Sequence, residues 1–378
     1  MSGNCQKPAF SVAKTGSSGT PLQTSRPCGR WVIGGFSGAT NYIGKMLREE
    51  AWEKKASNKP NTRYALGAMQ EVDADYTRIS TETAMRVANQ LEKRVKAFNL
   101  EFHLQGSVPL NVHIRGVSDV DLLTLINERF YNYDPNGIRA LAGAYQPTQL
   151  TSLQELKDLR NEEELALRNA FQAAKVDTTG SKAIKISGGS LARSVDVVPS
   201  HWYETAAYQQ SGAMHDRGVI ILDKKTNSTM TNFPFKHIKQ VSDRDNLTLG
   251  SLKKSIRLVK NVKADSDRTI ALPSFDLAAI MFHANPTALR AGYTFELAIL
   301  AETQRHLDYL YHHPDEAKLL DVPDGTRRIF DSQAKLDALF GLSVELDELL
   351  EAVANEHQDH QPAKTHYERR QLLEAVQL

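Results

Sequence analysis

One short stretch of the chain, GSVPLNVHIRGVSDVDLL, constrains its fold more than any other. It follows a strand-like run at residues 102–104, begins with Gly106-Ser107 and ends in a second strand-like run that carries Asp119 and Asp121. Side chains at positions i and i+2 of a strand point to the same face, so we predict that these two carboxylates lie side by side. Two carboxylates on one face repel each other unless a cation lies between them.

A third acid, Asp196, lies in a separate β-branched run, SVDVVP at residues 194–199. An isolated acid in such a run is costly to bury unless it is paired or bound to a metal. Taken singly, each Asp could equally form a salt bridge on an edge strand or cap a turn. Taken together, the order GS, then DVD, then VDVVP favours one shared site.

The chemistry that suits this set is metal-assisted transfer of a phosphoryl or nucleotidyl group. Mg²⁺ prefers carboxylate oxygens and usually binds substrate phosphates as well. Gly106-Ser107 supplies a tight turn, backbone N–H groups and a hydroxyl, all of which are suited to holding phosphate. The sequence therefore predicts a nucleotide site with bound metal at Asp119, Asp121 and Asp196.

These motifs resemble the nucleotidyltransferase superfamily that contains polymerase β, poly(A) polymerase, oligoadenylate synthase and cyclic GMP-AMP synthase. Within it, residues 106–121 most resemble the bacterial cyclic-oligonucleotide synthases of anti-phage (CBASS) signalling, which are called CD-NTases. The segments NFPFKH at 232–237 and LKKSIRLVK at 252–260 strengthen this resemblance, which covers about residues 75–300. One departure is Val112, where many relatives have Thr.

The resemblance implies an α+β fold, in which a polymerase-β-like mixed sheet with helices packs against a helical oligoadenylate-synthase-like domain. We therefore expect a flexible N-terminal segment over residues 1–60, a nucleotidyltransferase catalytic core over 61–245 and a helical C-terminal domain over 246–378. Residues 1–30 are rich in Ser, Thr, Gly and Pro and lack a periodic apolar pattern, which is typical of a flexible tail.

Local patterns agree with that order of elements. The apolar spacing at 81–95 predicts a helix directly before the Gly106 segment. Two hairpins are predicted, the first from strands at 182–186 and 193–198, and the second from strands at 219–222 and 228–231.

The resemblance also implies roles for residues beyond the three acids. In oligoadenylate synthase the segment LIRLVK carries a lysine that touches the triphosphate, and Lys260 lies at the matching place here. Ser274 and Phe275 occupy positions where relatives contact a phosphate and stack on a base, although Phe275 could also be an ordinary core aromatic. The nucleotide-binding candidates implied by the resemblance are Gly106, Ser107, Lys260, Ser274 and Phe275.

Composition limits the partners and the compartment. The chain has 46 Lys and Arg residues against 45 Asp and Glu, a net charge of +1, which argues against strong nucleic-acid binding. The cysteines, Cys5 and Cys28, are too few for a disulfide scaffold. No apolar run reaches the roughly 18–20 residues of a membrane span. We therefore expect a cytoplasmic protein that does not enter a membrane.

The expected function is template-independent joining of NTPs into a cyclic di- or oligonucleotide, with two Mg²⁺ ions (Mn²⁺ as an alternative) and release of pyrophosphate. A regulatory protein or effector of the same defence system is the expected protein partner. The alternatives are a transferase that makes linear oligonucleotides, tails RNA or modifies a small molecule, and a nucleotide sensor without catalysis. The presence of all three acids argues against the sensor. The pattern leaves open which bases are joined and through which linkage.

Overall fold

The computed structural model describes residues 3–6, 53, 56, 58–358 and 363–378. These residues form two compact units, each built from separate stretches of the chain. What we call the strand unit comprises Arg78–Gln105, Asp119–Phe235 and the strand at Gly3–Gln6. What we call the helical unit comprises Gly106–Ser118, Lys236–Leu378 and the described part of Phe36–Thr77.

The strand unit contains a mixed sheet. Its strands are β1 (Gly3–Gln6), β2 (Leu100–Gln105), β3 (Val120–Tyr133), β4 (Gln146–Pro147), β5 (Lys175–Asp177), β6 (Ile184–Ser187), β7 (Val195–Glu204), β8 (Gly218–Asp223) and β9 (Ser228–Asn232). The order β4-β1-β3-β7-β6-β5 runs across the sheet, while β2 also pairs with β3, and β8 pairs with both β7 and β9. Strands β3 and β7 run parallel, whereas the other pairs of described strands are antiparallel.

Helices make up most of the remaining described chain. They are α1 (Pro60–Met69), α2 (Ala74–Arg94), α3 (Ile138–Leu141), α4 (Ser152–Ala170), α5 (Ala206–Ser211), α6 (Pro234–Leu247), α7 (Ser251–Asp265), α8 (Ser274–Phe282), α9 (Pro286–Ala291), α10 (Ala298–His312), α11 (Pro314–Ala317), α12 (Gln333–Asn355) and α13 (His366–Ala375).

Burial explains why β3 and β7 occupy the middle of the sheet. Leu122, Leu123 and Leu125 of β3 and Val197 of β7 are completely buried. Near-continuous apolar runs of this kind are typical of strands that are covered on both faces. Helix α4 packs against β3 and β7. Its N-terminus is capped by the side chain of Thr151. The core of the sheet therefore places the first residues of β3 and β7 next to each other.

The helical unit is built around α7. Its apolar positions recur every three or four residues, and Leu252, Ile256 and Val259 are buried in one continuous core. That core also contains buried residues of α1, α8, α10 and α12. Helix α7 is thus a central element whose polar side chains can reach other segments of the same unit.

The structure confirms the predicted α+β fold, with its mixed sheet and many helices. Both predicted hairpins are present, as β6–β7 and β8–β9, and the helix predicted over 81–95 is α2, which begins earlier, at Ala74. Most of the segment predicted as flexible, together with Cys28 and the side chain of Cys5, lies outside the described residues. The partition at residues 1–60, 61–245 and 246–378 stays a prediction. Within the described ranges, no helix is both long and apolar enough to span a membrane.

Candidate active site

Backbone register brings the three predicted acids to one place in the strand unit. Asp121 of β3 lies directly opposite Asp196 of β7 in the parallel pair. Asp119 lies two residues before Asp121, and the ladder continues beside it, because the Val120 amide donates to the Ser194 carbonyl at 3.1 Å. Opposed residues of neighbouring strands point to the same face of the sheet. We name Asp119, Asp121 and Asp196 the carboxylate cluster.

A lysine that the sequence did not single out belongs to the same cluster. Lys185 of β6 lies opposite Asp196 in the antiparallel register, and its ammonium donates a hydrogen bond to Oδ2 of Asp119. That bond, followed by the charges of Asp119, Asp196 and Asp121, raises the pKa of Lys185 above its usual value. The alternating pattern at 182–186 predicted the strand, but only the pairing of β6 with β7 shows which acid Lys185 opposes.

Asp196 has a buried carboxylate oxygen that a cation would satisfy. Its Oδ1 is buried and finds no hydrogen-bond partner among the residues that the structure describes. Burial, reinforced by the charge of Asp119 and opposed by that of Lys185, raises the pKa of this carboxyl. A buried acceptor without a donor is costly, and an oxygen-seeking divalent ion would satisfy it.

The carboxylate cluster fits divalent metal by its donor chemistry, although it is not arranged as a finished site. In the described part of the chain, no three His, Cys, Asp or Glu side chains converge as a ready metal site. The ion pair with Lys185 holds the Asp119 carboxylate instead. A metal ion that took the Oδ2 atom of Asp119 would have to displace Lys185.

The Gly106-Ser107 turn belongs to the helical unit. Gly106 has φ = +74°, in the left-handed region that glycine adopts without strain. Beyond it, the Val112 amide donates to the Ser107 carbonyl at 3.0 Å and closes a compact loop. We name residues 106–118 the glycine–serine loop. Ser107 is partly exposed at its start, as its predicted contact with phosphate requires.

Two basic side chains of α7 hold the glycine–serine loop through its carbonyl oxygens. Lys260 is buried, and its ammonium donates to the Val112 carbonyl at 2.7 Å. Arg257, which the sequence reasoning missed, donates to the carbonyls of Asn111 and Met69, each at 2.7 Å. Two basic residues of α7 are therefore buried against backbone carbonyls.

These charges depress the basicity of a neighbouring histidine. His113 of the glycine–serine loop is buried and lies 3.0 Å from the Thr77 hydroxyl through Nε2. Burial first, and then the charges of Lys260 and Arg257, lower the pKa of His113 to about 4. The imidazole is consequently neutral at physiological pH and adds no further positive charge beside the loop.

Ser274 and Phe275 begin α8, directly after Pro273. Ser274 is exposed, as its predicted contact with phosphate requires, whereas Phe275 is partly buried. The Phe275 ring stacks on His237 with the ring centroids 4.4 Å apart, and the guanidinium of Arg327 lies 5.5 Å from it. The Phe275 ring therefore already contacts an imidazole and a guanidinium.

The predicted residues thus divide between the units. Asp119, Asp121 and Asp196, joined by Lys185, belong to the strand unit, and the five nucleotide-binding candidates belong to the helical unit. Sequence reasoning found the members that lie in short motifs. It missed Lys185 and Arg257, whose partners come from other elements.

Similar proteins identify the family. No family model matches the sequence. The chain is 47% identical over 285 residues to the cyclic dinucleotide synthase CdnE of Yersinia aleksiciae, which covers 75% of this chain and 74% of that protein. A c-di-GMP synthase of Capnocytophaga granulosa is 31% identical over 83% of this chain and 94% of its own length. The chain belongs to the bacterial CD-NTases.

The fold agrees with this assignment. The solved structure of a STING-associated CdnE c-di-GMP synthase from Capnocytophaga granulosa matches with a TM-score of 0.64 and 28% identity, over 82% of this chain and 97% of that one. The resemblance stated from the motifs is thereby confirmed, and this CD-NTase is a nucleotidyltransferase. CD-NTases generally use divalent metal ions.

Proposed function

We propose that this CD-NTase joins two NTPs into a cyclic dinucleotide, with release of pyrophosphate, as a signal in anti-phage defence. The observation that carries the proposal is the register of Asp121 with Asp196 on parallel strands, with Asp119 two residues away. Three carboxylates so close in register and sequence suit the two-metal chemistry of nucleotidyl transfer. The cyclic dinucleotide and c-di-GMP synthases among its relatives support the choice of product class.

In this proposal the three acids hold two Mg²⁺ ions, which Mn²⁺ can replace. When bound, such ions neutralise charge on the triphosphate and lower the pKa of the acceptor hydroxyl. Asp119 and Asp121 orient the triphosphate, and Asp196 lies on the side of the acceptor hydroxyl. Asp196 also assists the deprotonation of that hydroxyl. The hydroxyl oxygen attacks the α-phosphorus and pyrophosphate leaves.

The nucleotide contacts of the proposal are those that the sequence motifs implied. Ser107 and the backbone N–H groups near Gly106 hold the β- and γ-phosphates, because turn amides and a hydroxyl are suited to anions. Lys260 and Ser274 add a charge and a hydroxyl, and Phe275 stacks on a base. A second round of transfer on the linear intermediate closes the ring and releases a second pyrophosphate.

The test is to incubate purified protein with labelled NTPs, singly and mixed, in Mg²⁺ or Mn²⁺, and to separate the products after phosphatase treatment. GTP alone comes first, because the relative from Capnocytophaga granulosa is a c-di-GMP synthase. Wild-type protein is expected to yield a phosphatase-resistant product. The Asp119→Asn variant is expected to yield none, whereas Asp158→Asn, at an exposed position on α4, keeps wild-type turnover.

Three other outcomes would contradict or redirect the proposal. Wild-type turnover by the Asp119→Asn variant would contradict the assignment of the carboxylate cluster. A linear product that phosphatase degrades would indicate an oligonucleotide or tailing polymerase. Absence of product from every NTP calls for the same assay with the candidate regulatory protein or effector of the defence system. We place the reaction in the cytoplasm.

A further inference from the structure

Lys185 completes a row of charged side chains that crosses three strands. In this row, Lys185 of β6 opposes Asp196 of β7, and Asp196 opposes Asp121 of β3. Neighbouring strands lie about 4.8 Å apart, so the lysine backbone is about two strand spacings from β3. The side chain nevertheless reaches across Asp196 to bind Asp119, just before β3 begins. The ammonium therefore lies among the carboxylates and does not point away from them.

The ion pair has the properties of an exchangeable contact. The Lys185 and Asp119 side chains are 45% and 33% exposed, so water can reach both. An ammonium is a compact point charge and lacks the planar fork through which arginine binds a carboxylate bidentately. Partly exposed pairs of this kind contribute little to folding stability. Lys185 can thus leave Asp119 without a large structural penalty.

We propose that Lys185 is the resident counter-cation of the carboxylate cluster: it holds Asp119 in the metal-free protein and competes with divalent metal for that carboxylate. This inference rests on the proposed function, because it takes Asp119 as a metal ligand. The competition lowers the affinity for metal in the absence of substrate. It also limits the repulsion among three carboxylates that share one face of the sheet.

A direct measurement of metal binding tests the competition. Mn²⁺ is titrated by electron paramagnetic resonance into nucleotide-free wild-type, Lys185→Met and Lys182→Met proteins. The Lys185→Met variant is expected to bind Mn²⁺ about two- to fivefold more tightly, the factor that a partly exposed ion pair is worth. Lys182→Met, at an exposed position that precedes the same strand, is expected to match wild type. An unchanged or weakened affinity in Lys185→Met overturns the proposal.

The Asp119→Asn background shows whether the effect passes through that carboxylate. Lys185→Met is expected to change Mn²⁺ affinity in the wild-type chain and to have no effect in the Asp119→Asn chain. An equal effect in both backgrounds overturns the assignment of Asp119 as the contested ligand. Circular dichroism of every variant checks that the fold is retained.

A measurement without metal separates this inference from the proposed function. In EDTA, Lys185→Met is expected to melt below wild type by about 0.3–1.3 °C, because the carboxylates lose their counter-cation. Equal melting temperatures in EDTA overturn the counter-cation role, whatever the enzyme synthesises. If Mn²⁺ binding is the same in wild-type and Asp119→Asn proteins, the metal assignment fails, while the EDTA comparison still reports on the ion pair.

Discussion

The two units present their candidate functional residues in different ways. In the strand unit, Asp121 and Asp196 are aligned by the backbone ladder, and their positions follow from strand register alone. In the helical unit, Lys260 is buried and bound to the Val112 carbonyl, and Phe275 already stacks on His237. Strand register fixes the position of a residue through backbone hydrogen bonds. The position of a long side chain on a helix depends instead on the groups that it contacts. The positions of the strand acids therefore follow from the backbone, whereas those of the helix side chains follow from their contacts.

Asp196→Asn is expected to have the largest effect. The substitution keeps the size of the side chain but removes the charge of a carboxylate whose Oδ1 has no partner among the described residues. We expect kcat to fall by about 10³-fold or more, equivalent to ~4 kcal/mol of transition-state stabilisation. Steady-state synthesis of the cyclic product measures it. Asp158→Asn serves as the control, and a loss below about tenfold would contradict a role in catalysis.

Arg257→Met tests the anchoring of the glycine–serine loop in the helical unit. It removes charged hydrogen bonds to two backbone carbonyls from a buried position. We expect the free energy of unfolding to fall by about 2–4 kcal/mol, measured by urea denaturation. Arg257→Lys should be intermediate, because an ammonium has no fork to reach both carbonyls. Lys253→Met, partly exposed on the same helix, is the control, and equal losses at both positions would remove the special role of Arg257.

Lys260→Met tests whether Lys260 contacts phosphate or only stabilises the fold. Loss of the bond to Val112 should lower the free energy of unfolding by about 1–2 kcal/mol. If Lys260 also contacts the triphosphate, KM for the NTP should rise about tenfold when measured well below the melting temperature. Reduced stability with an unchanged KM would leave Lys260 a purely structural role.

Glu163→Gln tests the pH dependence of stability, at a position on α4 outside the candidate site. Glu163 of α4 is completely buried, and this burial raises its pKa from 4.5 to about 8, against the opposing effects of Thr124 and Arg160. Between these two pH values the folded state keeps a proton that the unfolded state has lost, so stability falls as pH rises.

The Glu163→Gln variant has no such proton, so its stability should fall less than that of wild type over this range. Melting temperatures at pH 5, 6.5 and 8 should show a gap in favour of the variant that widens by a few °C with pH. Glu162→Gln on the same helix is the control. A gap that does not change with pH would mean that Glu163 is already ionised in the folded protein.

Much of the strand unit could be predicted because strands repeat with a period of two. The hairpins β6–β7 and β8–β9 and the position of Asp196 on its strand all follow from short alternating runs. Lys185 could be placed on a strand but not beside Asp119, because that contact depends on which strands pair. Arg257 is harder still, since its partners are carbonyl oxygens in α1 and the glycine–serine loop, which carry no side-chain signal.

The sequence by itself determined the acid motifs, the glycine that can adopt φ = +74° and the family to which they point, because these depend on neighbours within a few residues. Only the tertiary structure decided that Lys185 forms an ion pair with Asp119 and that Lys260 binds a backbone carbonyl. It also decided that Asp196 has a buried oxygen with no hydrogen-bond partner among the described residues. The physical reason is that a charged side chain is stabilised by the dipoles and charges that folding brings around it. Those groups come from elements far apart in the chain, so the local sequence pattern around a residue does not predict them.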